Sequence, residues 1–204
     1  DGNYLDFILD YDINLNKLNQ NFNPSDGFNF IFSQELPIYS EDYTLVNRIN
    51  YNKYYELNGN AIFSLGVFGA TANSLSNEDA RITKRIFIPG RKLRGFEVGK
   101  IGPKDGNDFV GGNYGSAINL ASTLPNLFTE VQNLDLSLFL DAANIWGVDY
   151  DSTVKENKKI RSSTGIAIDW FTPIGPLSLS YSIPISKNST DVTETIRFNI
   201  GTTF

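Results

Sequence analysis

Apolar and polar residues alternate with a period of two along most of the chain, and the phase can be read strand by strand. At the end, Ile196, Phe198, Ile200 and Phe204 fall on one face, with Arg197, Asn199, Gly201 and Thr203 on the other. Before them, Leu177, Leu179, Tyr181, Ile183 and Ile185 alternate with Ser178, Ser180 and Ser182, and Ile166, Ile168 and Trp170 alternate with Gly165, Ala167 and Asp169. A tight turn at Pro173 to Pro176 joins these two runs. Leu134, Leu136, Leu138 and Leu140 oppose Asp135, Ser137, Phe139 and Asp141, which puts Asp141 on the polar side. Ile118, Leu120 and Leu124 oppose Ala117, Asn119 and Ala121. Phe63, Leu65 and Val67 mark a strand joined through Asn58-Gly59 to one around Tyr43 to Leu57. Phe28, Phe30 and Phe32, then Leu5, Phe7, Leu9 and Tyr11, complete a set of about nine antiparallel strands with no helix, an all-β chain.

Alternating strands are most often found in soluble sandwiches, but three features favour strands that cross a bilayer. The runs are about ten residues long, the length a tilted strand needs to span the hydrocarbon. Aromatic residues gather near strand ends, at Tyr51, Tyr54, Tyr55, Trp146 and Trp170, as in an interfacial girdle. Connections alternate between short turns (58–59, 173–176) and longer polar loops (72–112, 144–159), the asymmetry of outer-membrane barrels. Such barrels have an even strand number and no open edge in lipid. The expectation is therefore that further strands precede Asp1 and that residues 1–204 form the later half of a larger cylinder.

Composition agrees with this reading. No window approaches 18 uninterrupted apolar residues, which excludes a helical membrane protein, while a mean hydropathy of -0.22 and a net charge of -6 are compatible with a barrel in which only alternate residues meet lipid. Cys, His and Met are all absent, which removes thiol nucleophiles, imidazole bases, disulfides and thiolate or imidazole metal sites. No enzymatic activity, no cofactor and no metal is expected. Asp10-Tyr11-Asp12-Ile13-Asn14 imitates the start of a calcium loop, but the required Gly and Glu positions hold Leu15 and Asn21, so these are strand residues. A phosphate loop and a basic patch for nucleic acid are both missing. Asn188-Ser189-Thr190 is a formal glycosylation sequon.

The longest connection, about Thr71 to Asn113, is too rich in Ile, Phe and Gly to be mere disorder. Within it, Leu93-Arg94-Gly95-Phe96 resembles the (V/I)RGF motif of BamA-type outer-membrane assembly barrels, the bacterial surface antigen superfamily. Ile101-Gly102-Pro103 and Gly111-Gly112-Asn113 follow as in that family. Leu138-Phe139-Leu140-Asp141-Ala142-Ala143-Asn144-Ile145-Trp146 resembles its D-x-G strand, Gly165 to Leu177 its G-x-x-x-x-W-x-(S/T)-P-x-G-P-L hairpin, and Asn199 to Phe204 its aromatic C-terminal signal. The resemblance covers residues 80–204; residues 1–79 share strand character only.

The resemblance implies a barrel of 16 strands when complete, in the bacterial outer membrane, with the 72–112 loop folded into the lumen. It implies that Arg94 pairs with a wall carboxylate, for which the independent phase argument offers Asp141, while Gly95 permits a tight backbone and Phe96 supplies an apolar anchor. The sequence departs from the family at Ala143, in place of the motif Gly, and near Ala121, where a second carboxylate is expected on the preceding strand. The implied function is assembly and insertion of other barrel proteins. Ile196, Phe198, Ile200 and Phe204 would form a seam that opens laterally and templates client strands. Implied partners are unfolded outer-membrane clients, outer-membrane lipids and accessory assembly lipoproteins, with POTRA domains upstream and no nucleic acid. A TamA-like or two-partner-secretion translocator is the alternative within the family, and a passive porin or an outer-membrane hydrolase the alternative outside it.

Overall fold

The computed structural model describes residues 5–21, 23–40, 43–57, 61–76, 79–125, 127, 133–148, 154, 158–172 and 175–200. The strands are β1 (Phe7–Asn16), β2 (Gly27–Tyr39), β3 (Thr44–Glu56), β4 (Ile62–Ser74), β5 (Lys104–Asp105), β6 (Asp108–Phe109), β7 (Tyr114–Leu124), β8 (Leu134–Trp146), β9 (Arg161–Thr172), β10 (Gly175–Ser186) and β11 (Ile196–Ile200). Nine of them form one sheet in the order β1-β2-β3-β4-β7-β8-β9-β10-β11, while β5 and β6 make a small hairpin inside the connection between β4 and β7. Every neighbouring pair in the large sheet is antiparallel. The predicted all-β chain and its nine strands are thus observed, eight of them ten to thirteen residues long and β11 described over five. Among the described residues the helical content is two short 3-10 turns, Ile82–Lys84 and Gly90–Lys92, both in the long connection. The expected turns at Asn58-Gly59 and Pro173, and the terminal Gly201, Thr203 and Phe204, lie outside the described residues.

The register carries the sequence alternation across the sheet, broken by irregularities at Phe7/Ile8 in the β1–β2 pair and at Pro184/Ser186 in the β9–β10 pair. Leu120, Leu140 and Thr164 sit side by side, as do Leu138, Ile166 and Tyr181, so apolar residues share one face. That face is open: Leu138, Ile183, Ile196 and Phe198 are each more than half exposed. The opposite, inner face carries Asn119, Asp141 and Ser163 in one row and is covered by the long connection. A sandwich would bury its apolar face against a second sheet; here the arrangement is inverted, as lipid requires. Tyr51, Tyr55, Trp146 and Trp170 are on the outer face, with Trp146 stacked on Tyr114 at 5.9 Å. Tyr54 is the exception to the expected girdle, because it pairs with Ser64 on the same side as Val46 and points inward.

The hydrophobic core lies between the inner wall and the long connection. Val46, Phe68, Ala70, Ala72, Ala117, Ala143 and Ile145 come from the wall, and Ile86, Ile88, Leu93, Phe96 and Ile101 from the connection. Small wall residues make the room: a Cβ on Gly115 would lie 2.6 Å from Cγ2 of Ile86. Each loop side chain buried this way contributes about 1.5–3 kcal/mol, so the connection is held to the wall as a folded element.

The two faces differ in their tolerance of charge. Leu138→Arg should cost about 2–4 kcal/mol if its side chain meets hydrocarbon, whereas Leu138→Phe should be close to neutral. Urea unfolding of the full-length barrel in lipid measures both, and an unchanged midpoint for the arginine variant would refute the orientation of the sheet.

Candidate functional site

The connection enters the inner face through Pro89 and the turn Gly90–Lys92, closed by Lys92 N donating to Pro89 O at 2.8 Å. Leu93 is then extended and buried, which sends the next side chain along the wall of β8. Arg94 meets Asp141 there as a fork: Nε donates to Oδ2 and Nη2 to Oδ1, both at 2.8 Å. The Arg94 backbone N–H also donates to Oδ2 at 3.1 Å, and Asn119 Nδ2 donates to Oδ1 at 2.9 Å. Asp141 is fully buried, so these donors replace the water that its carboxylate has lost. The guanidinium also stacks on the Phe139 ring, with Cζ 3.5 Å from the centroid.

Register explains why these groups converge. Asn119 pairs with Asp141, and Asp141 with Ser163, so three adjacent strands present one polar row. Asn119 Nδ2 lies 2.9 Å from Lys92 O, and the Ser163 hydroxyl donates to Arg94 O, so the row clasps the backbone on both sides of the Arg94 side chain. Gly95 follows with a φ of 88°, a left-handed conformation that side chains disfavour, and a Cβ there would press on Ser163 and Ser182 at 3.1 and 3.2 Å. Phe96 is buried in the core beneath. Beside the lock, burial and the neighbouring Arg91 push the Lys92 ammonium below its ordinary range, and Asp141 opposes them.

The sequence shows no acid near Ala121, where the resemblance expects a second carboxylate, and the register puts a different residue opposite Asp141. Ala121 pairs with Phe139, and the side chain that reaches Asp141 from the preceding strand is Asn119, an amide in place of an acid. A carboxylate at that position would bring a second negative charge against Asp141 with a single guanidinium between them, whereas an amide donates to it. The residue could have been found by continuing the β7–β8 pairing two residues further along.

Further anchors escaped the sequence reading. Arg161 and Asp191, both fully buried, pair at 3.0 Å and join the start of β9 to the connection before β11. Arg161 also reaches Asn144 Oδ1 at 2.8 Å, and Asp191 accepts from Asn188 N at 2.6 Å. Arg161 has the inward parity of Ser163 and Gly165, a signal the sequence carried. At the other end of the long connection, Arg81 pairs with Asp6 at 2.6 Å and Lys84 with Glu35 at 2.9 Å. The remaining expected residues, Ile196, Phe198 and Ile200, face outward, paired with Tyr181, Leu179 and Leu177. They share no contact with the Arg94 site through their side chains, since they project from the opposite face.

The Omp85 superfamily domain model matches residues 1–204. Among curated proteins, the outer membrane protein assembly factor BamA of Neisseria meningitidis serogroup B is 28% identical over 139 residues, covering 55% of this chain and 17% of that protein. BamA of Neorickettsia risticii is 24% identical over 202 residues, covering 96% of this chain and 27% of that protein. The chain thus spans well under half the length of either relative. The crystal structure of BamA from Haemophilus ducreyi lacking POTRA domains 1–3 superposes with a TM-score of 0.85 at 29% identity, covering 96% of this chain and 42% of that one.

Removing one half of the lock strands the other in a dry site. Arg94→Ala should destabilise the full-length barrel by about 3–5 kcal/mol, and Arg94→Lys should recover only part of this because an ammonium cannot make the fork. Gly95→Ala should cost about 1–3 kcal/mol through its backbone. The temperature at which heat-modifiable gel mobility is lost ranks the variants, and full recovery by lysine would show that charge alone matters.

Proposed function

The chain belongs to the Omp85 superfamily, and from that premise we propose that the protein it is part of assembles and inserts other β-barrel proteins in the bacterial outer membrane, where this sheet forms barrel wall. The relatives named as outer membrane protein assembly factors support the reading. The observation that carries it is the occupied inner face: the Arg94 lock and the Ile86 to Ile101 core fill the side of the wall that an aqueous pore would keep open. With the bore filled, the working surface is the wall itself.

In this reading the main-chain edge of β11 pairs with strands of a client by β-augmentation. The outward row of Ile196, Phe198 and Ile200 keeps the edge at the level of the lipid chains. The lock at Arg94 holds the inner loop in place while the seam moves. No bond is made or broken, so neither a catalytic residue nor a cofactor enters. Unfolded clients supply the strands, outer-membrane lipids receive the product, and accessory lipoproteins act on the protein outside these 204 residues.

Reconstitution separates this from a passive pore. Full-length protein in vesicles of outer-membrane lipids should speed folding of an added client barrel, followed by its heat-modifiable mobility, and should pass small sugars poorly. Arg94→Ala or Asp141→Ala should slow client folding. Ready sugar flux with no gain in client folding would refute the proposal.

A further inference from the structure

The long connection grips the last strand as well as the wall. Main-chain pairing of β10 with β11 runs from Leu177↔Ile200 to Tyr181↔Ile196 and is extended by Ser182 N donating to Thr195 O at 2.8 Å, after which the chain leaves the wall for the loop. Glu194 N donates to Gly95 O at 3.1 Å, Glu97 N to Val192 O at 3.0 Å and Val192 N to Lys100 O at 3.1 Å, around an antiparallel bridge between Phe96 and Thr193. Residues 192–194 therefore pair with the loop. The described part of β11 accordingly begins at Ile196.

Arg197, at the second position of β11, closes the junction. Its side chain is 11% exposed and points inward. Nη1 donates to Gly90 O at 2.6 Å, Nη2 to Phe96 O at 2.5 Å and Nε to Glu194 Oε2 at 2.8 Å. Gly90 and Phe96 bracket the segment that Arg94 pins to Asp141, so the last strand holds both ends of the lock. A planar guanidinium can satisfy two carbonyls and a carboxylate at once; an ammonium, a point charge on a flexible stem, has no matching geometry.

We propose that Arg197 is a positioning residue that latches β11 to the lumen loop, so that the loop sets how far the last strand can part from β10. Two anchors with separate tasks result. Arg94 keeps the loop on β8, and Arg197 keeps β11 on the loop. Release of Arg197 frees the start of β11 while the Arg94–Asp141 fork stays made. The functional weight of the latch rests on the reading of β11 as the working edge.

Hydrogen–deuterium exchange on the full-length protein in lipid nanodiscs tests it. Arg197→Ala should speed exchange at 178–182 and 196–200 by about tenfold or more, leave 115–121 and 137–143 unchanged, and preserve heat-modifiable mobility. Arg197→Lys should not restore protection. Because the chain has no cysteine, a disulfide from Tyr181→Cys and Ile196→Cys can tie β10 to β11, and in the Arg197→Ala background its oxidation should bring exchange back down. Unchanged exchange at β10 and β11, uniform acceleration in every strand, or full rescue by lysine would each overturn the latch. Client folding in the same vesicles separates the two ideas: faster seam exchange with client folding unaffected upholds the latch and removes β11 as the working edge, while a change in both supports both.

Discussion

A carboxylate buried on the wall of a membrane sheet has no water to return to, and the organisation of this chain depends on how Asp141 is satisfied. Its donors come from two places far apart in sequence, Arg94 in the connection and Asn119 on the neighbouring strand. Removal of either the charge or the fork leaves the other half of the pair in a site where unpaired charge is expensive. The lock therefore holds the loop in one position on the wall, and the loop in turn organises everything on that face.

The sheet is inverted relative to a soluble protein, because its continuous apolar surface faces outward. A wall of this kind has nothing on its inner side to pack against unless the chain supplies it. The connection between β4 and β7 does so, with Ile86, Ile88, Leu93, Phe96 and Ile101 placed over a wall trimmed to Ala70, Ala72, Ala117 and Ala143. Apolar burial holds the loop broadly, and the polar row of Asn119, Asp141 and Ser163 fixes its register. Dispersion and solvent exclusion are not directional, whereas a two-pronged ion pair is.

The same connection ties together parts of the sheet that lie far apart in strand order. Arg81 and Lys84 reach Asp6 and Glu35 at the β1 and β2 side, Arg94 reaches β8, and Arg197 reaches back from β11. Arg161 with Asp191 secures the segment that leads into the last strand. Under the proposed function, such cross-bracing would keep the strain of an opening seam from spreading to the other strands.

The strands, their faces and the inward direction of Asp141 were legible because a side-chain period of two is a local property of the chain, and lipid on one side makes it unusually clean. Arg94 was legible as well, through a short motif whose neighbours appear in the expected order, though its resemblance to a family supplied the partner's role. The alternation put Asn119 on the polar face, but the position opposite Asp141 was aligned two residues away, near Ala121, because strand register depends on the turns and on pairing across the sheet, neither of which is written in one strand. Tyr54 was grouped with the girdle by its position near a strand end, although its parity against Tyr51 and Tyr55 already turns it to the other face. The Arg161–Asp191 pair and the contacts of Arg197 were hidden more deeply, since each joins residues whose meeting depends on where the chain leaves the wall before β11. Local alternation determined which residues face lipid; only the tertiary structure decided which buried charges meet, because a charge takes its partner from whatever chain the fold brings within reach.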